Sequence, residues 1–146
     1  MEIQPQLLAD CLVLGNWGND TLLLHRNASL PWFILVPETT AADFLDLASA
    51  RRAELLERLS SLSRLLKHEL GYCKVNLGAI GNVVPQMHLH VVGRQPGDAC
   101  WPKPVWGNLP EGPTYTDAAL DHLKEQLRSH CALDILPSFR TGGPRE

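Results

Sequence analysis

Residues 81–94 read Gly81-Asn82-Val83-Val84-Pro85-Gln86-Met87-His88-Leu89-His90-Val91-Val92-Gly93-Arg94 and hold the side chains best suited to chemistry. On an extended segment Gln86, His88 and His90 share one face, while Met87, Leu89 and Val91 share the other, because strand side chains alternate. Two imidazoles at i and i+2 beside an amide make a polar row that is costly to hold on a half-buried sheet unless it is used. Imidazole has the ordinary pKa nearest neutrality, so the row suits nucleophilic attack, proton transfer or metal ligation. A metal site would need a carboxylate or Cys100 to join His88 and His90, and no further ligand stands at a regular spacing. His25, His68, His122 and His130 are isolated in the sequence and are assigned no special role. If the strand runs on, Arg94 falls on the His88 and His90 face, where it would neutralise a phosphate or form a surface salt bridge.

The row needs a sheet to carry it. Short apolar runs at residues 11–17 and 21–25, around Gly18, Asn19 and Asp20, predict two antiparallel strands joined by a turn. A third strand is expected at 33–36, bounded by Pro31 and Pro37, neither of which can continue a ladder. Leu55, Leu59, Leu62, Leu66 and Leu70 repeat at helical spacing with charges largely elsewhere around the axis, so a long helix is expected, capped by Ser49 and ended by Gly71. Thr39 or Thr40 would start a shorter helical turn before it. Residues 74–77 read as a strand, 78–84 as a loop and 86–93 as another strand. The Pro-, Gly- and Trp-rich residues 95–113 suit an irregular segment lying over the domain. Thr116 or Asp117 caps a second helix with Leu120, Leu123 and Leu127 on its apolar stripe. The architecture is α+β: an antiparallel sheet of about five strands, one long helix and one shorter C-terminal helix, in a single domain over residues 1–140 with a flexible tail at 141–146.

Composition sets the outer limits. A chain of 146 residues, 45% hydrophobic and 20% charged, suits one soluble domain and excludes disordered, collagen-like and membrane classes. Its net charge of −3 and pI near 6.0 offer no basic face for long nucleic acid, so an anionic ligand must be held locally. Glu2 and Asp10 leave no basic start for a signal peptide, and no apolar run nears the roughly 18 residues of a membrane span, so a cytoplasmic location is expected. Cys11, Cys73, Cys100 and Cys131 are scattered and read as free thiols.

The row Gln86-Met87-His88-Leu89-His90-Val91-Val92 resembles the histidine triad (HIT) superfamily of nucleotide hydrolases and transferases, with its His-x-His-x-His signature, except that glutamine replaces the first histidine. The likeness runs from about Leu12 to Arg94 and includes the Phe33-Ile34-Leu35-Val36-Pro37 strand end, the long helix, Asn76-x-Gly78 and Gly81-Asn82. Trp101-Pro102 and Pro104-Val105-Trp106-Gly107 are similar to a bacterial HIT-like subgroup carrying Gln-x-His-x-His.

The resemblance implies a HIT-like fold and a hydrolase or nucleotidyl transferase acting at the α-phosphate of a mononucleotide derivative or dinucleoside polyphosphate. In that reading His88 forms a covalent nucleotidyl intermediate, His90 touches the phosphate or bridging atom and assists the leaving group, and Gln86 hydrogen-bonds nearby without titrating. Asn76, Gly81 and Asn82 would approach the phosphate, although Asn and Gly also serve simply as turn formers. Asn27 would hold the ribose hydroxyls. Trp101 and Trp106 would cover the pocket or pack the irregular segment. The covalent step needs no cofactor or metal, the partner is a small nucleotide rather than a membrane or long nucleic acid, and a homodimer is expected. Two other readings stand beside it: a nucleotide-binding module with little turnover, and a His-x-His metal-binding protein.

Overall fold

Asp20 explains why the first hairpin sits where it does. It opens β2 (Asp20–His25) after the turn from β1 (Cys11–Trp17), and its buried carboxylate accepts the backbone N–H of Glu38 at 2.7 Å. Arg51 and Arg58 of the long helix α2 (Ser49–Arg64) also bind it, tying helix to hairpin. Burial alone would raise the Asp20 pKa, but these donors hold it below the usual carboxylate value.

The computed structural model describes residues 1–136, so the tail expected at 141–146 lies outside the described residues. β3 (Trp32–Val36), β4 (Lys74–Gly78), β5 (Leu89–Arg94) and β6 (Asp134–Ile135) complete an antiparallel six-stranded sheet in the order β4-β5-β3-β2-β1-β6. One strand more than expected is present: β6 has only two residues, too few to show a period, and it pairs with Gly15 and Asn16. There Gly15 is required, since a Cβ would collide with the Asp134 carbonyl oxygen.

Each face of the sheet is covered by a different layer. Phe33, Leu35, Leu89 and Val91 pack under α2 and α3 (Asp117–Cys131), against Leu55, Leu59, Leu62, Leu123 and Leu127. Trp32, Ile34, Val36 and Val92 face the opposite way, against Leu7 of the N-terminal segment and Cys100 and Val105 of the irregular segment. With both faces covered, β3 is buried at all five positions, and its sequence is an apolar run rather than an alternation. The cap of α3 is Thr116, whose side chain accepts the Ala119 N–H. α2 begins at Ser49, one residue after its N-cap Ala48, so Ser49 lies inside the helix rather than capping it. The short helical turn falls at Phe44–Asp46 instead of starting at Thr39 or Thr40.

Two further departures shape the site. The strand expected at 86–93 begins only at Leu89, because the pairing ladder ends at Gly78↔His90 and Leu35↔Leu89 and leaves residues 86–88 beyond it. A six-residue helix α1 (Pro5–Asp10), too short to show apolar periodicity, lies on the irregular-segment side through Leu7.

Candidate active site

The irregular segment at 95–113 forms a strap over one face of the sheet. A cavity of about 400 Å³ opens on that side, lined by His25, Trp32, Gly81, Asn82, His88, His90 and Trp106, with Gln6, Leu7, Asp10 and Cys11 on its α1 side. Of the residues singled out in the sequence, the fold thus brings His88, His90, Gly81, Asn82 and Trp106 together. The two imidazoles meet edge to face with centroids 5.0 Å apart.

Their protons are placed by their partners. His88 Nδ1 lies 2.7 Å from the Gln86 carbonyl oxygen, which can only accept, so Nδ1 donates and the Nε2 lone pair is left for the cavity. His90 has the opposite tautomer: the Trp32 indole N–H, a donor only, gives its hydrogen bond to Nδ1 at 3.0 Å, which puts the His90 proton on Nε2. His90 is only 5% exposed, and burial, then His88 and His25, push its pKa down to about 4. At neutral pH it is an uncharged hydrogen-bond donor rather than a reservoir of protons. That narrows the leaving-group role expected for it. Cys11 is a poor nucleophile despite lining the cavity, because burial, and then Asp10, raise its thiol to about 12.

Trp106 covers His90 edge-on at 5.3 Å and also meets Trp32. Its ring can lie there because residue 78 is glycine: a Cβ at that position would come within 2.7 Å of the indole. The strap that carries Trp106 is fixed by Arg94. That guanidinium, 1% exposed, pairs with Asp98 through Nε at 2.7 Å and reaches Asn76 Oδ1 at 2.9 Å and Cys100 Sγ at 3.7 Å. The Asp98 pairing, partly offset by burial, raises the Arg94 pKa, and the same bond lowers that of Asp98.

Several residues expected at the phosphate or ribose are therefore engaged elsewhere. Arg94 spends its charge on Asp98, a buried pair rather than a phosphate contact or a surface bridge, and Asn76 is turned to Arg94. Asn27 accepts the Ser29 N–H and donates to the Pro110 carbonyl, holding the end of the strap. Trp101 lies 5.6 Å from the Arg94 guanidinium and does not line the cavity. The Gln86 amide is directed to residues 2 and 4, away from the imidazoles.

Sequence reasoning missed His25 and Trp32. His25 stacks on Trp32 at 4.3 Å with 8° between the planes, and its Nδ1 accepts the Asn27 N–H. Burial lowers the His25 pKa, with Asp10 opposing. The available signal was register: Ile34 pairs with His90, so Trp32, two residues before Ile34, faces the same side. Among the described residues no three metal-ligating side chains converge, all four cysteines are free, and no helix is long and apolar enough to cross a membrane.

The family model for the HIT domain matches residues 8–97. Among solved structures, a histidine triad protein from Bradyrhizobium japonicum superposes with a TM-score of 0.81 at 32% identity, covering 88% of this chain and 96% of that one. Histidine triad proteins from Marinobacter aquaeolei VT8 (TM-score 0.81, 35% identity, 90% and 97% covered) and Sinorhizobium meliloti 1021 (0.81, 28%, 88% and 96%) are similar to the same extent. Comparison with curated proteins gives no match.

Proposed function

Because the chain belongs to the HIT domain family, we propose that His88 is the nucleophile of a nucleotide hydrolase or nucleotidyl transferase. The observation that supports this most directly is the Gln86 carbonyl at His88 Nδ1, which holds a proton on that nitrogen and so selects the tautomer whose lone pair is on Nε2. In this reading Nε2 attacks the α-phosphorus of a mononucleotide derivative or dinucleoside polyphosphate. The bond to the leaving group breaks as the P–N bond forms, and the leaving group takes a proton from solvent water. Water, or an acceptor in the transferase case, then attacks phosphorus and frees His88. His90 Nε2–H donates to a phosphate oxygen, as do the backbone N–H groups of the Gly81-Asn82 loop, where Gly81 takes a positive φ of 68°. The flat stack of His25 on Trp32 is a surface for the base.

A second copy of the chain is the partner we expect at the β4 edge. β4 ends the sheet, Leu77 on it is 57% exposed, and an apolar groove of about 560 Å³ lined by Phe44, Leu45, Leu56 and Leu77 adjoins it.

The deciding experiment is turnover of a fluorogenic adenosine phosphoramidate and of a dinucleoside polyphosphate, with mass spectrometry of acid-quenched enzyme. A mononucleotide adduct on the peptide containing His88 is expected. Nucleotide binding without any turnover would instead favour a non-catalytic binding module.

A further inference from the structure

Gln86 holds the first residues of the chain by both ends of its amide. Its Oε1 accepts the Gln4 backbone N–H at 2.8 Å, and its Nε2 donates to the Glu2 carbonyl at 2.9 Å. An amide sets its acceptor and donor side by side, as extended backbone does, so it pairs with the N–H and C=O of a segment much as a neighbouring strand would. Neutral imidazole also has one donor and one acceptor, but its ring nitrogens diverge and cannot grip the same two groups. Gln4 is the N-cap of α1, and its side chain accepts the Gln6 N–H. α1 then lends Gln6, Leu7 and Asp10 to the cavity wall. The main-chain carbonyl of the same Gln86 receives His88 Nδ1–H.

We infer that Gln86 is a positioning residue that clasps the N-terminal segment and so fixes α1 as a wall of the cavity, determining how a substrate fits instead of taking part in bond making. What fills the cavity rests on the proposed function, while the clasp itself does not. A wall held by the clasp contributes to binding in ground and transition state alike, so loosening it raises KM and leaves kcat nearly unchanged.

Three measurements test this. Amide hydrogen exchange of Gln4, followed by NMR, should be protected in the wild type and faster by about tenfold in Gln86→Ala, the scale of one neutral hydrogen bond. KM for a fluorogenic adenosine phosphoramidate and the calorimetric Kd for AMP should both rise about tenfold in Gln86→Ala, with kcat within about threefold. Gln4→Pro removes the clasped N–H at a φ of −56° that proline accepts, whereas Gln4→Ala keeps it. The proline variant should reproduce the KM shift, the alanine variant should not, and Gln4→Pro combined with Gln86→Ala should be no worse than either alone. An unprotected Gln4 amide in the wild type, exchange unchanged by Gln86→Ala, a fall in kcat at constant KM, or additive effects would each overturn the assignment. If the wild type neither turns over the phosphoramidate nor binds AMP, the proposed function fails, and the exchange measurement alone decides the clasp.

Discussion

At the scale of single residues, the two imidazoles are chemically opposite because their Nδ1 atoms face opposite partners, a carbonyl for His88 and an indole N–H for His90. His88→Ala should therefore remove turnover by at least about a thousandfold at unchanged folding, the usual loss for a nucleophile. Residual activity above about a tenth of wild type would rule out that role. His90 leads to a prediction about stability. Its folded pKa of about 4 lies below the ordinary 6.5, so between those values the unfolded chain binds more protons and stability falls as pH falls. The contribution is fully present above about pH 6.5 and costs about 3 kcal/mol by pH 4. Urea unfolding between pH 7 and 4 should show this slope, and His90→Asn should flatten it. The pairing of His88 with His90 was legible in the sequence because it is written in positions i and i+2 of one extended segment, although His88 itself precedes β5. The tautomers were not, since Gln86 offers a backbone atom and Trp32 lies on another strand.

At the scale of elements, the strap between β5 and α3 matters more than its lack of regular structure suggests. Arg94 was legible as a cation on the histidine face, but whether it meets a ligand or Asp98 depends on how the strap folds back, which no periodicity encodes. Asp98→Ala should leave the Arg94 charge buried and unpaired, destabilising the fold by about 3–5 kcal/mol in chemical denaturation. A loss under about 1 kcal/mol, the size of an exposed pair, would mean the strap is not anchored there. Gly78→Ala is expected to act more locally. By displacing Trp106 from above His90 it should lower kcat/KM severalfold while the melting temperature changes little, and intact activity would show that the indole has room to give. β1, β2 and β3, the long helix and the Thr116 cap were readable because each carries an apolar run bounded by turn residues or proline, a helical period or a cap. α1 and β6 were not, because their six and two residues are held by tertiary contact rather than by local pattern.

At the scale of the whole molecule, one sheet carries the cavity on one face and the main helices on the other, and β4 ends it on one side. Light scattering at micromolar concentration should report about twice the chain mass of 16.2 kDa, and Leu77→Lys should halve it. A wild-type monomer would refute the dimer. The opposite side of the sheet has a history as well as a structure. β1 leaves the ribosome before the other described strands, yet the partner that closes its outer edge, β6, is the last described strand to be made. Until residues 134–135 have been made the outer edge of β1 stays open, and only then can Gly15 pair with Ile135 and Asn16 with Asp134. A chain interrupted before Asp134 would leave the outer edge of β1 unpaired, the form that cross-pairing and quality control act on. Closure of β1 thus waits on the last described strand.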